Sequence, residues 1–269
     1  MSKTDDFKTT QESAFSIYKK ERKTEAWSIA SEKQHDHWTE YFIRFNKDEL
    51  DWKALSFNDS LPWTVPFIQQ FEENWEWHAL SYIIADKSYF ERSDFDLLLG
   101  QYAGKLDWEV ICAGNNLKSN HLEEYAHFIN WRALSSNNGF IWSEAFINEH
   151  ITDIDWAVFT ECLSTAETSS VMQNAFRVKV LELYAEYLDF DILSENDQLD
   201  FTVELLERYK EKWNWGKLIN NSAVDWHEDL LQKFDSYISI IPYKVLKESC
   251  MWSVLMEQMS EIEVVIAML

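Results

Sequence analysis

Two histidine-containing stretches carry residue types that could coordinate a metal ion or transfer protons. Residues 35–37 read His-Asp-His, and residues 121–127 contain His121, Glu123, Glu124 and His127. Imidazole nitrogens and carboxylate oxygens serve both as zinc ligands and as general acid–base groups. The first stretch is predicted to lie in a solvated turn between helices. The second would share one helical surface, a pattern that is common and weakly specific in an acidic protein.

No motif for a defined chemistry accompanies these groups. The chain has no glycine-rich phosphate loop, no G-x-S-x-G elbow, no H-E-x-x-H sequence and no cysteine pair with zinc-finger spacing. Its 47 carboxylates are spread along the whole sequence, so no pair stands out as acid and base. We therefore expect a protein that is not an enzyme and needs no cofactor. The alternative is an enzyme that uses scattered carboxylates in a concave pocket.

The elements that would position any such group form a tandem repeat. Trp52 and Trp63 are 63 − 52 = 11 residues apart, and Trp77 follows 77 − 63 = 14 residues later, which gives a period of 25. A fixed period of this size is typical of solenoids and related arrays. Each repeat thus has a first and a second aromatic position, and we call such a recurring position a column. We expect the residues of these two columns to form the repeat core. They are Trp27, Trp38, Trp52, Trp63, Trp77, Trp108, Trp131, Trp142, Trp156, Phe190, Phe201, Trp215 and Trp226.

Other columns of the repeat indicate where each helix begins and ends. An acid or amide such as Asp51 precedes the first aromatic and suits a helix N-cap. Asn58, six residues after that aromatic, is predicted to end the helix in a left-handed conformation. Thr64 follows the second aromatic and is again a capping type. Each repeat is thus predicted to be a short helix, a turn and a second helix of roughly ten residues.

These patterns predict an all-α fold, a solenoid of about 25-residue helix-turn-helix repeats. Residues 1–26 are predicted to be an N-terminal tail and a capping helix. Residues 27–269 are predicted to be a single α-solenoid of degenerate repeats that ends in a C-terminal capping helix. Ser253 is the expected N-cap of that last helix. The segment 171–188 is expected to form one long helix.

The repeat that begins at Trp52 resembles the tandem W-x-x-L-S-x-N repeats of uncharacterised bacterial and giant-virus proteins. Trp52, Leu55, Ser56 and Asn58 match this pattern. The same match recurs at Trp131, Leu134, Ser135 and Asn137, and in weaker form at Phe190, Leu193, Ser194 and Asn196. The resemblance covers most of residues 27–230 and implies a repeat architecture, but it implies no activity.

The charge of the chain excludes some classes of partner. It carries 24 basic and 47 acidic residues, a formal net charge of −23. Direct nucleic-acid binding and adsorption to an anionic membrane both depend on Lys and Arg, so we expect neither. Its three scattered cysteines indicate reduced thiols, and therefore a cytoplasmic protein. A basic protein partner would suit this charge, although solubility alone could also explain it.

A candidate acidic binding surface follows from clusters of carboxylates. The candidate residues are Glu72, Glu73, Glu76, Glu123, Glu124, Asp225, Glu228 and Asp229. We expect a protein-binding repeat module, in its most specific form an inhibitor or immunity-type protein that neutralises a basic partner such as a nuclease toxin. The alternatives are a general scaffold and an array that binds small ligands or peptides through exposed tryptophans. The sequence leaves monomer and homodimer open.

Overall fold

The computed structural model describes residues 14–33, 38–86, 88–165 and 171–268, and within these ranges every regular element is a helix. The predicted all-α class is therefore confirmed. The described parts of Met1–Asn130 and Gly139–Ile141 form one compact unit, and those of Trp131–Asn138 and Trp142–Leu269 form a second. We call them unit 1 and unit 2.

Unit 1 contains the first nine helices of the described chain. They are α1 (Ala14–Glu32), α2 (Glu40–Asn46), α3 (Trp52–Ser56), α4 (Val65–Gln70), α5 (Trp77–Ala85), α6 (Arg92–Tyr102), α7 (Trp108–Ala113), α8 (Ser119–Glu124) and the 3-10 helix η1 (Ala126–Phe128). The first helix runs unbroken from Ala14 to Glu32, across the predicted boundary between residues 26 and 27.

Unit 2 contains the remaining described helices. They are α9 (Trp131–Ser135), α10 (Glu144–Glu149), α11 (Trp156–Thr165), α12 (Val171–Tyr184), α13 (Phe190–Glu195), α14 (Val203–Arg208), α15 (Trp215–Leu218), α16 (Glu228–Lys233), α17 (Asp235–Ile238), α18 (Tyr243–Lys247) and α19 (Cys250–Met268). The long helix expected over 171–188 ends at Tyr184, and residues 185–187 form a turn.

The helices begin where the sequence columns place their caps. Asp51 accepts the backbone N–H of Ala54 at 3.1 Å, and Asn214 accepts that of Lys217 at 3.2 Å. Thr64, which caps a second helix, accepts the N–H of Phe67 at 3.3 Å. These bonds satisfy N–H groups that have no partner inside a helix. The capping predictions at these positions are confirmed.

A buried hydroxyl links each of several first helices to the next. Ser56 Oγ donates to the carbonyl of Trp52 at 2.6 Å and accepts the backbone N–H of Glu76 at 2.9 Å. We call this pair of bonds the hydroxyl joint. It also occurs at Ser31, Ser81, Ser135, Thr160 and Ser194. Because these hydroxyls are fully buried, both bonds are needed to replace lost water contacts.

Several indole groups also bond to the backbone. Trp52 Nε1 donates to the carbonyl of Lys47 at 2.8 Å, and Trp63 Nε1 donates to that of Asn58 at 2.9 Å. Each acceptor lies five residues before its tryptophan, so the indole fastens the preceding turn to the helix. In unit 1 the ring of Trp63 also packs on Trp75, with centroids 5.1 Å apart.

The predicted aromatic columns contribute to the interior to different degrees. The buried members are Trp38, Trp63, Trp108, Phe190, Phe201, Trp215 and Trp226. The partly buried members are Trp27, Trp52, Trp77, Trp131, Trp142 and Trp156. In unit 2 the buried members pack with aliphatic residues such as Leu193, Leu206 and Leu218.

The left-handed conformation predicted for the asparagine column is wrong. None of the described non-glycine residues has a positive φ, and Asn196, at the C-cap of α13, has φ −70° and ψ 111°. Asn58 instead donates through Nδ2 to the carbonyls of Ser31 and Lys33, at 2.8 and 3.1 Å. Asn58 therefore forms hydrogen bonds to the preceding repeat. The sequence pattern alone does not distinguish this role from that of a left-handed cap.

Two further expectations about helix ends are wrong. Several second helices have only six or seven residues, because residues such as Phe71 and Tyr209 leave the helical conformation with ψ near 25°. The last helix is capped by Ser249, whose Oγ accepts the N–H of Trp252 at 3.2 Å. Ser253 lies inside α19, where its hydroxyl donates to the carbonyl of Ser249.

Candidate functional site

The candidate carboxylates of unit 1 have different local environments. Glu76 is the N-cap of α5 and accepts the N–H of Ala79 at 2.8 Å, which gives it a structural role. Glu72 Oε1 lies 2.6 Å from Lys105 Nζ, and the hydroxyl of Tyr102 donates to its other oxygen at 3.4 Å. The hydrogen bond from Lys105 holds the pKa of Glu72 below its ordinary value, against the effect of desolvation. Much of this charge is already neutralised.

Three of the unit 1 candidates have exposed side chains. Glu73 follows Glu72 in the turn after α4, and Glu123 and Glu124 form the last positions of α8. Burial raises the pKa of Tyr125, and the carboxylate of Glu124 beside it raises that pKa further. Glu73, Glu123 and Glu124 are thus the predicted carboxylates of this unit that solvent reaches most freely.

The candidate carboxylates of unit 2 cluster at the start of one helix. Glu228 and Asp229 occupy the first turn of α16, and Asp225 lies three residues before Glu228. All three side chains are exposed. His227 caps the helix by accepting the N–H of Leu230 through Nδ1 at 3.3 Å. These three acids therefore lie in one short, exposed segment.

A groove of about 490 Å³ lies between α16 and α19, and one of these acids lines it. Its walls are mostly apolar. The lining residues are Glu228, Leu231, Trp252, Leu255, Met256, Gln258 and Met259. We call it the α16–α19 groove. Sequence reasoning found Glu228 but missed the apolar wall, although the spacing 252, 255, 256 and 259 is a two-turn apolar stripe.

Hydrogen bonds hold α19 in place beside the repeats. The backbone N–H of Met251 donates to the carbonyl of Ile219 at 2.8 Å. Ile219 occupies the column that serine fills in other repeats, so a backbone carbonyl here replaces the hydroxyl. Gln258 Nε2 donates to the carbonyl of Trp226 at 3.0 Å. These contacts fix the first part of α19 against the rest of unit 2 and so define one wall of the groove.

A second groove, of about 470 Å³, lies beside α5 and α7 in unit 1. His78 pairs there with Asp107 through Nδ1, and Tyr82 and Glu109 also line the groove. Burial alone would raise the pKa of Asp107, but the hydrogen bonds from His78 and from backbone N–H groups outweigh it and lower that pKa. The ring of Phe57 packs against Tyr82 with centroids 5.9 Å apart, and both side chains are exposed.

The histidines singled out for chemistry have other environments. Residues 35–37 lie outside the described residues. His121 is buried, its Nδ1 accepts the N–H of Lys118, and its Nε2 lies 2.9 Å from Asp96. Burial lowers the pKa of His121, although Asp96 favours the charged form. His127 is exposed and packs on Phe128. In the described part of the chain, no group of three or more His, Cys, Asp or Glu residues could hold a metal ion.

Among the described residues, no helix has both the length and the apolar character that crossing a membrane requires. Comparison of the chain with protein-family models, with curated proteins and with solved structures found no match. The resemblance to W-x-x-L-S-x-N repeats therefore stays an expectation.

Proposed function

We propose that this chain is a non-enzymatic protein-binding module that holds a basic protein partner on an acidic surface. One observation carries the proposal: Glu228, one of the predicted carboxylates, lines the apolar α16–α19 groove. An apolar surface supplies affinity, and a carboxylate at its edge supplies preference for a positively charged partner. The net charge of −23 would also speed the approach of such a partner.

The architecture we propose is an α-solenoid of about 25-residue repeats. Its support is the hydroxyl joint, which recurs within unit 1 at Ser31, Ser56 and Ser81 and within unit 2 at Ser135, Thr160 and Ser194. A bond that each repeat makes only to its neighbour is the expected signature of a stacked array.

We place the protein in a reducing compartment, the cytoplasm. Among the described residues, Cys112, Cys162 and Cys250 form no disulfide. Burial raises the pKa of both Cys112 and Cys162 to about 11. Such thiols are protonated at neutral pH and react slowly, which is typical of structural cysteines. These properties suit a reduced cytoplasmic protein.

Two functions fit this proposal, a specific one and an alternative. The specific form is an inhibitor or immunity-type protein, which would hold one basic partner such as a nuclease toxin tightly and in a 1:1 ratio. The second candidate is a scaffold with more than one partner. The His78–Asp107 groove and the exposed Phe57–Tyr82 pair of unit 1 favour it, because they offer a binding surface in addition to the α16–α19 groove. Stoichiometry separates the two.

The test uses three charge variants of the whole protein as baits in a nuclease-treated lysate of its host. One variant neutralises unit 1 (Glu73→Gln, Glu123→Gln, Glu124→Gln), and one neutralises unit 2 (Asp225→Asn, Glu228→Gln, Asp229→Asn). The control changes three exposed acids outside the candidate set. Its substitutions are Glu21→Gln, Glu25→Gln and Asp48→Asn.

We expect a basic protein that the wild type and the control retain and that the unit 2 variant loses. That protein would then be purified, its stoichiometry measured by titration, and its own activity assayed with and without this chain. Equal loss from all three variants would mean that net charge alone governs capture, and the proposal of a specific surface would be abandoned. Retention of no basic protein by the wild type would also contradict it.

A further inference from the structure

We propose that the α16–α19 groove receives one amphipathic helix of the partner, with apolar side chains on one face and Lys or Arg beside them. This inference rests on the proposed function and adds the form of the ligand and the place where it binds. Helix-in-groove recognition uses anchors at positions i, i+3, i+4 and i+7. One wall of this groove carries an apolar stripe with the same spacing, at positions 252, 255, 256 and 259 of α19. The apolar face of a partner helix would therefore lie along a helical face with the same repeat of apolar residues.

The apolar stripe is accessible and adaptable. Met256 and Met259 are 44% and 51% exposed, while Trp252 and Leu255 are half-buried. Methionine is unbranched, flexible and polarisable, so it adjusts to apolar side chains of different shapes. Leu231 of α16 forms the opposite wall. The groove thus offers several apolar contacts along two turns of α19, which suits a helical face better than one inserted side chain.

Carboxylates beside the groove favour a basic occupant, although the neighbouring helix α18 also carries two exposed lysines, Lys244 and Lys247. Glu228 lines it, Asp225 and Asp229 are exposed nearby in the sequence, and Glu257 is exposed on α19. Lys233, the basic residue of α16, has its Nζ 3.7 Å from a carboxylate oxygen of Glu207, so its charge is partly neutralised. Lys or Arg beside the apolar anchors of a partner helix would therefore meet carboxylates. A second copy of this chain would bring the same carboxylates and the same net charge, so repulsion disfavours it.

The test measures binding of designed helical peptides to the full chain. The probe is a fluorescein-labelled peptide of about 18 residues, or five helical turns, with Leu at i, i+3, i+4 and i+7 and Lys elsewhere. One control peptide replaces every Lys with Glu. Another has the same composition as the probe but a scrambled order without an apolar face. We expect the probe to bind at least roughly tenfold more tightly than either control, as measured by fluorescence anisotropy.

A matched pair of protein variants locates the binding. Met259→Lys places a cation in the groove, and Ile240→Lys places one at a side chain of the same unit that is 80% exposed and does not line the groove. Both sites face solvent, and circular dichroism would confirm that both variants fold. We expect Met259→Lys to weaken probe binding by roughly tenfold or more, and Ile240→Lys to change it by less than about twofold.

A second measurement observes the groove directly and does not depend on a variant. The protein would be labelled with 13C at its methionine methyl groups, and Met256 and Met259 assigned by Met→Leu substitution. We expect both methyl signals to shift on addition of the probe and to stay unchanged on addition of the acidic peptide. Sedimentation of the protein alone would show whether it forms a dimer that Met259→Lys dissociates.

The outcomes separate this inference from the proposed function. Probe binding with unshifted methyl signals and an unaffected Met259→Lys variant would overturn the groove assignment but leave a basic partner in place. Equal binding of the acidic peptide would overturn the charge preference, and with it both proposals. A dimer that depends on Met259 would show that a second copy fills the groove and would overturn the inference. So would the absence of binding by every peptide.

Discussion

The hydroxyl oxygen of Ser56 and the backbone nitrogen of Glu76 lie 2.9 Å apart, although 20 residues separate them in the sequence. Glu76 is itself the cap of α5, so the hydroxyl of one repeat holds the residue that starts the next. The same hydroxyl donates to the carbonyl of Trp52. One serine therefore joins the end of one short helix to the beginning of another.

The first prediction concerns this joint. Ser56→Ala removes the hydroxyl and leaves the N–H of Glu76 and the carbonyl of Trp52 without that partner in a buried place. We expect the free energy of unfolding to fall by about 1–3 kcal/mol, the usual loss for an unsatisfied buried polar group. Chemical denaturation would measure it. Ser56→Thr should lose less, because Thr160 makes the same two bonds. Equal losses for both variants would contradict the role of the hydroxyl.

The second prediction compares two glycines. A Cβ at Gly114 would lie 2.5 Å from Ala85 Cβ and 2.9 Å from its carbonyl oxygen, whereas a Cβ at Gly104 would meet nothing within 4 Å. Gly114→Ala should therefore push α7 away from α5 and reduce stability by about 1–3 kcal/mol. Gly104→Ala should be neutral or stabilising, because it restricts the unfolded chain. Thermal unfolding of both variants would test the contrast, which fails if Gly114→Ala is as stable as the wild type.

The third prediction uses two buried tryptophans. Trp63 Nε1 donates to the carbonyl of Asn58, but Trp226 Nε1 has no hydrogen-bond partner in the described part of the chain. Substitution by Phe creates a cavity at either position, yet only Trp63→Phe also removes a bond. We expect Trp63→Phe to lower the free energy of unfolding by about 1 kcal/mol more than Trp226→Phe does. Denaturant unfolding of both variants against wild type would show this, and the reverse order would refute it.

The fourth prediction concerns pH. Burial alone would raise the pKa of Asp51, but hydrogen bonds from Ser28 and from the backbone N–H groups of Ala54 and Lys53 outweigh it and lower that pKa. A carboxyl whose pKa is lower in the folded state stabilises the fold above its unfolded pKa of about 3.9, and this contribution is lost as the pH falls through the folded pKa.

Asp51→Asn isolates this contribution, since an amide can still cap a helix, as Asn214 does. Wild type should be the more stable protein at pH 7, and the difference should shrink as the pH falls below about 3.9. Unfolding in denaturant across this pH range would measure it. A difference that stays constant with pH would show that the charge of Asp51 has no stabilising effect.

The sequence predicted best those features that depend on near neighbours. A cap such as Asp51 or Thr64 bonds to an N–H three residues later, so its residue type and its position beside a helix were sufficient. The partner of Asn58 lies 27 residues earlier, at Ser31, and no local pattern indicates it. The left-handed cap was the interpretation that local rules favour, and packing between repeats overrides it.

The grooves were harder to predict for the same reason. Glu228 was a candidate because it is acidic and lies in an acidic cluster. Its apolar neighbours Leu255 and Met259 come from α19, which follows the last regular repeat and packs beside α16. Likewise His78 and Asp107 meet only because α5 and α7 lie side by side. The exposed Phe57 and Tyr82 share one column of the repeat, which is the signal that could have identified that surface.

The hydroxyl joint also constrains how such a chain can change in length. Its two partners are 20 residues apart at Ser31 and Asp51, 26 apart at Ser81 and Asp107, and 29 apart at Thr160 and Asp189. The bond is the same in each case, so the additional residues are accommodated between its ends. We therefore expect insertions between the two partners of a joint to leave that bond intact. We also expect a chain that keeps the serine and cap columns to accept added or removed repeats, because each joint involves neighbouring helices alone.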